Sequence, residues 1–126
     1  MSAILSKEWL QRAATQVEGD PKFNCVAEEF EATVLFGIDD REVAAAFSDG
    51  RMEVLGDPTY ETWDFAVRGP AETWQKMLAE TPPPLHHDLV GAWLQADLTV
   101  EGDLRMAIRH LRPLKRLFEG FREVDA

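Results

Sequence analysis

The sequence is short of most things that export, metal binding or nucleic-acid recognition requires. It holds one cysteine, Cys25, in 126 residues. A single thiol cannot close an internal disulfide and fits a reducing, cytoplasmic setting. No run approaches the ~20 uncharged apolar residues of a membrane span, so no integral membrane association is expected. The opening MSAILSKEWLQ lacks a basic region followed by an apolar run, and no export signal is expected from it. Cations are scarce: 13 Lys and Arg stand against 23 Asp and Glu, a formal net charge of −10. Nucleic acid is excluded as a partner on that ground, because its binding needs cations to displace phosphate counterions. Strong adsorption to anionic membranes is disfavoured for the same reason. Ser and Thr are few. There is no G-x-S-x-G elbow, no D-x-D-x-D-G cation loop and no Gly-rich phosphate loop.

What is present suits one domain spanning 1–126, because 45% hydrophobic and 10% aromatic residues suffice for a single core. The charge is unevenly spread. Between Leu104 and Arg122 lie Arg105, Arg109, Arg112, Lys115, Arg116 and Arg122 against Glu119 alone, a sum of +5, so the remainder carries −15. Such a stripe is a docking surface for phosphate or an acidic partner, or simply the solvated face of an amphipathic helix.

The apolar rhythm gives the elements. Ser6 caps a helix over 6–18, with Trp9, Leu10, Ala13, Ala14 and Val17 on one side and Gly19-Asp20-Pro21 ending it. KFNCVAEEF is ambiguous: Phe23, Val26 and Phe30 have helical spacing in a short piece. Then alternation begins. Val34, Phe36 and Ile38 face one way, followed by Val43, Ala45 and Phe47, then Met52 and Val54, with turns at Asp39-Asp40, Ser48-Asp49-Gly50 and Gly56-Asp57-Pro58. Trp63, Phe65 and Val67 continue as a fourth strand, placing Asp64 and Arg68 on the opposite face. The linked strands predict an antiparallel meander with one apolar face. Gly69-Pro70 opens a helix bearing Trp74, Met77 and Leu78, which Thr81-Pro82-Pro83-Pro84 breaks. Leu85, Leu89, Val90, Trp93 and Leu94 suggest another short helix. In LTVEGDLRMAIRHL, Leu98 and Val100 form a fifth strand. At Gly102-Asp103 the period changes to that of a helix carrying Leu104, Ala107, Ile108 and Leu111. Pro113 should kink or split that helix near Arg112 before it continues through Leu114, Leu117, Phe118 and Phe121. The fold class is α+β: a single five-stranded sheet, mostly antiparallel and mixed through its last connection, covered by helices.

Large inward side chains define a candidate ligand-binding set: Phe36, Phe47, Trp63, Phe65, Trp74, Met77, Leu78, Leu89, Trp93, Leu117, Phe118 and Phe121. They fill a core or surround an apolar cavity. If a cavity exists, burying roughly 300 Å² of lipid surface is worth about 7 kcal/mol before ordering costs, enough for micromolar binding. Leu117, Phe118 and Phe121 would then form its lid, or else bury against a second copy of the chain.

Catalytic candidates are weaker. His86-His87-Asp88 follows the prolines, but adjacent histidines diverge on any regular element, whereas joint metal ligands are spaced i, i+4 on a helix. His110 adjoins Leu111 and could point inward as a base, or be a satisfied structural residue. No catalytic residue, metal ligand or cofactor is assigned.

The serial order of these elements resembles the sterol-carrier-protein type-two family. The likeness runs over about 28–122 and rests on three places: Asp49-Gly50 in the hairpin, Gly56-Asp57-Pro58 before the fourth strand, and Leu98, Val100, Gly102, Asp103 and Leu104 at the strand-to-helix joint. The resemblance implies a five-stranded sheet and helices around a hydrophobic tunnel. It also implies non-catalytic binding of sterols, fatty acids, acyl-CoA or quinone precursors, presented to a partner enzyme. The strong acidity departs from the basic carriers of animals. Two alternatives stay open: an isomerase or hydrolase acting on a hydrophobic ring compound, and a module that forms homodimers or docks on an enzyme through its C-terminal helix.

Overall fold

Four of the five helices described start where a side chain supplies an acceptor for their free amides. The computed structural model describes residues 5–56, 63–78 and 98–124. Helix α1 (Lys7–Glu18) begins with the Ser6 hydroxyl accepting from the Trp9 amide at 3.1 Å, and its predicted stripe is buried in full. The ambiguous piece yields a short helix, α2 (Pro21–Val26), because Asp20 accepts from the Lys22 amide and Pro21 fits the first turn. Phe30 lies beyond it, yet packs in the same core as Phe23.

Five strands follow the alternation: β1 (Ala32–Ile38), β2 (Arg41–Ser48), β3 (Arg51–Gly56), β4 (Phe65–Gly69) and β5 (Thr99–Gly102). β2 and β3 are joined by Asp49 at φ 52° and Gly50 at φ 73°, the two positive values a type I′ hairpin demands. The predicted meander ends there. The sheet order is β3-β2-β1-β4-β5, so β4 lies beside β1 and parallel to it, while β5 is antiparallel to β4. The sheet is mixed as expected, but its parallel pair is β1–β4. The reason lies in β1, whose ATVLFGI is buried on both faces and takes the central position.

The pleat sends Val34, Phe36, Val43, Ala45, Phe65 and Val67 to the helix-covered face. Leu35, Ala44 and Ala66 point the other way and form a smaller buried cluster with half-buried Leu55 and Trp63. Trp63 therefore does not face inward with Phe65. It precedes β4, outside the ladder whose alternation would have aimed it. Its ring lies 6.0 Å from the Arg68 guanidinium, so Trp63 shares the face that the alternation had assigned to Asp64 and Arg68. Asp64 faces neither solvent alone nor Arg68: it accepts from the Thr33 amide at 2.7 Å.

Helix α3 (Ala71–Met77) is capped from a distance. The carboxylate of Asp39, in the β1–β2 turn, accepts from the Ala71 amide at 3.0 Å. After β5, Asp103 accepts from the Met106 amide and starts α4 (Leu104–Arg109), and α5 (Leu111–Phe121) runs on from His110. The break falls at His110, two residues before the expected Arg112, because Pro113 has no amide to offer the Arg109 carbonyl. The expected face is buried only in part. Ala107 is buried and Leu111 half-buried, but Leu104 and Ile108 are 40% and 54% exposed. The turn at Asp57-Pro58, the proline breaker 81–84 and the helix expected from Leu85 to Leu94 lie outside the described residues.

Candidate ligand-binding interior

The sheet supplies a floor and three helices supply a roof. From β1, Phe36 rises between Trp74 of α3 (ring centroids 6.3 Å apart, 69°) and Phe121 of α5 (5.9 Å, 67°). Phe118 meets Trp74 edge-on at 5.9 Å and lies 5.9 Å from Phe121, which Trp9 of α1 approaches at 5.1 Å. Edge-to-face contacts of this kind add to simple burial. The heptad-like spacing of Leu114, Leu117, Phe118 and Phe121 aims all four into the molecule, and each is at most 1% exposed.

Of the twelve residues singled out by sequence, Phe36, Phe47, Phe65, Trp74, Met77, Leu78, Leu117, Phe118 and Phe121 share this one apolar cluster. Trp63 sits on the far face of the sheet. Leu89 and Trp93 lie outside the described residues, as do His86 and His87. The sequence reading left out Trp9, Phe23 and Phe30. Phe47 stacks on Phe30 at 4.9 Å and lies 6.4 Å from Phe23, so α2 and its tail close one end of the interior. The signal for them was the 23/26/30 spacing, too short to settle on its own.

Two indole donors in this interior differ. Trp74 donates to the Gly37 carbonyl at 2.8 Å. Trp9 is 1% exposed, and its Nε1–H has no acceptor; among the described residues it is the one buried side-chain donor without a partner. Thr73 is the one buried polar residue described. An unmet donor inside an apolar interior is where an oxygen on an otherwise apolar ligand would be stabilised.

Polar ties hold the roof at its rim. The Arg116 guanidinium donates to both carboxylate oxygens of Asp20, at 2.7 and 3.2 Å, which holds the Asp20 carboxyl below its ordinary range. Gln16 donates to the Gly120 carbonyl and to Glu123, and Arg122 to the Met77 carbonyl at 2.8 Å. Outside the roof, a cleft of about 420 Å³ between α2 and α5 is lined by Lys22, Cys25, Val26, Arg112, Lys115, Arg116 and Glu119. A second, of about 360 Å³, holds His110 against Phe30, with ring centroids 4.9 Å apart. Burial pushes the His110 pKa down, aided by Arg109 and opposed by Glu29. His110 thus faces a surface cleft and packs on an aromatic ring. Among the described residues no three His, Cys, Asp or Glu side chains gather as metal ligands, and no helix is long and apolar enough to cross a membrane.

No family model matches the sequence, and no curated protein matches it. Solved structures do. A crystal structure of sterol carrier protein 2 superposes with a TM-score of 0.75 at 15% identity, covering 98% of this chain and 100% of that one. The solution structure of a conserved protein from Thermus thermophilus, suggested to be a sterol carrier protein, gives 0.75 at 16% identity, with 100% and 94% covered. A UbiJ-SCP2 ubiquinone synthesis protein gives 0.61 at 14% identity, with 85% of each covered. At such identities the likeness establishes the fold.

Proposed function

We propose that this chain, which has the fold of sterol carrier protein 2, is a non-catalytic carrier. It takes an apolar ligand (a sterol, a fatty or acyl chain, a quinone precursor or another ring lipid) between the sheet and the α1/α3/α5 roof, and presents it to an enzyme that acts on it. One observation carries the reading: the interior shared with that fold is lined by a continuous set of apolar side chains around Phe36, Trp74, Phe118 and Phe121. Supporting it, the roof is fastened at its rim by partly exposed polar contacts, which cost little to exchange for water. A ligand entering there replaces ring contacts to Phe118 and Phe121 with contacts of its own, so the apolar area lost by the rings is regained. The unmet Trp9 donor favours a ligand carrying one acceptor oxygen.

The test is twofold. Native mass spectrometry of freshly purified protein should show a bound small molecule, or uptake of one equivalent of oleic acid after delipidation. Titration with a fluorescent fatty acid should saturate in the micromolar range and change tryptophan emission. A delipidated protein that takes up neither fatty acid nor sterol at tens of micromolar would sink the carrier reading. Turnover of a ring substrate that vanishes in His110→Gln would replace it with an enzyme.

A further inference from the structure

Of the helices that close the interior, α2 is held by the least. Helix α1 buries five residues, α5 buries six, and α3 is pinned by Trp74, whose indole donates to the Gly37 carbonyl at 2.8 Å. Helix α2 has six residues and buries one, Phe23. That ring lies 6.4 Å from Phe47, so it plugs the end of the interior beside the β2–β3 hairpin. Helix α4 also buries one residue, but Ala107 has no ring with which to plug anything. The other ties of α2 are polar. Asn24 donates to the Glu18 carbonyl at 3.3 Å. Asp20 accepts from the Lys22 amide and from the Arg116 guanidinium of α5. One partly exposed carboxylate therefore both starts the helix and fastens it to the roof. Clefts of about 420, 250 and 230 Å³ run along the borders of α2, where a fully packed helix would have neighbours.

We propose that α2 is the hatch of the ligand-binding interior and that the Asp20–Arg116 pair is its latch. The proposal rests on the carrier reading above. Opening withdraws one ring and breaks one ion pair, while α1, α3 and α5 stay packed, so it is a local opening rather than unfolding. Gly19, which ends α1, and Ala27, which ends α2, are the element-terminal points where the chain turns. Asp20 and Arg116 stand outside the apolar cluster that would hold the ligand. Their pair is closed in the free and the loaded protein alike, so it cancels from the affinity. It governs the speed of exchange: a looser latch quickens entry and exit by the same factor.

Stopped-flow mixing of delipidated protein with a fluorescent fatty acid measures both rates. Asp20→Asn keeps a good helix cap and loses the ion pair. It should raise the association and dissociation rate constants at least threefold each and leave Kd within twofold. Arg116→Gln, made on the other helix, should do the same. Lys76→Gln, which breaks the exposed Glu72–Lys76 pair on α3, should change neither rate. Salt at 0.5 M should quicken exchange in the wild type but not in Asp20→Asn, because it screens an exposed pair. Hydrogen exchange reads the hatch without ligand: amides of residues 22–26 should exchange faster in Asp20→Asn by the factor found for the fatty acid, while those of α1 stay unchanged. Unchanged rates in both latch variants, equal acceleration in Lys76→Gln, or faster dissociation with unaltered association would overturn the proposal. So would amides of α1 that quicken as much as those of α2. A wild-type protein that binds no fatty acid sinks the carrier reading, whereas one that binds it with latch-independent rates sinks the hatch alone.

Discussion

Gly102 sits at φ +89°, and a Cβ there would meet the Asp64 carbonyl at 2.7 Å and the Trp63 ring at 2.9 Å. The strand-to-helix joint can close only on a glycine, since Asp103 must reach back to donate its amide to that same carbonyl at 2.8 Å. Gly102→Ala should lower stability by at least about 1–3 kcal/mol in urea titration. Asp20 has two duties, capping α2 and holding Arg116, and Asp20→Ala should cost about 1–2 kcal/mol by the same measurement. Its carboxyl titrates below the ordinary 3.8 when folded, so its contribution is complete above that value and fades as pH falls through the folded value. His110 behaves likewise for a different reason. Burial depresses its folded pKa from 6.5, so the unfolded chain takes up the proton first as the pH falls. Stability attributable to His110 is full above that ordinary value and declines below it. His110→Phe should remove this part of the decline between pH 7 and 5, read from paired denaturation curves. Trp9→Phe should keep the fold and weaken fatty-acid binding about tenfold, the worth of one hydrogen bond to a carboxylate.

Helix α5 shows how an element's meaning depends on its neighbours. Its stripe of Leu114, Leu117, Phe118 and Phe121 was readable from spacing, but spacing allowed a lid or a dimer contact equally. The four side chains are buried within their own chain, so the stripe is not left free to pair with a second copy. Truncation after Arg112 should accordingly abolish cooperative unfolding rather than merely association. Losing four buried side chains at about 2–5 kcal/mol each exceeds the whole stability of an ordinary domain. Circular dichroism of the truncated chain decides this. The strands were legible from alternation, and Trp63 was not, because a residue before the ladder escapes its alternation. Leu104 and Ile108 were misplaced because α4 rests on the molecule through Ala107, which buries only one edge of its apolar stripe, and spacing does not say which edge that is.

The whole molecule is a mixed sheet roofed by helices, with β1 at the centre and the rings of four elements meeting above it. If it carries a lipid, one site saturated at a hundredfold over Kd adds about 2.7 kcal/mol and should raise Tm by several degrees with oleic acid but not with glucose, by differential scanning calorimetry. The sequence by itself determined the element types described apart from α2, the turns at Asp39-Asp40 and Asp49-Gly50, the caps at Ser6 and Asp103 and most of the buried set. These follow from local rules: the period of apolar residues, the conformational freedom of Asp-Gly and the missing amide of proline. Tertiary structure alone decided which strand neighbours β1, which face Trp63 covers, that Asp39 caps a helix 32 residues away, and that the last helix seals its own core. Those outcomes depend on pairings between distant segments, and a one-dimensional pattern of apolar and polar residues is equally satisfied by several of them.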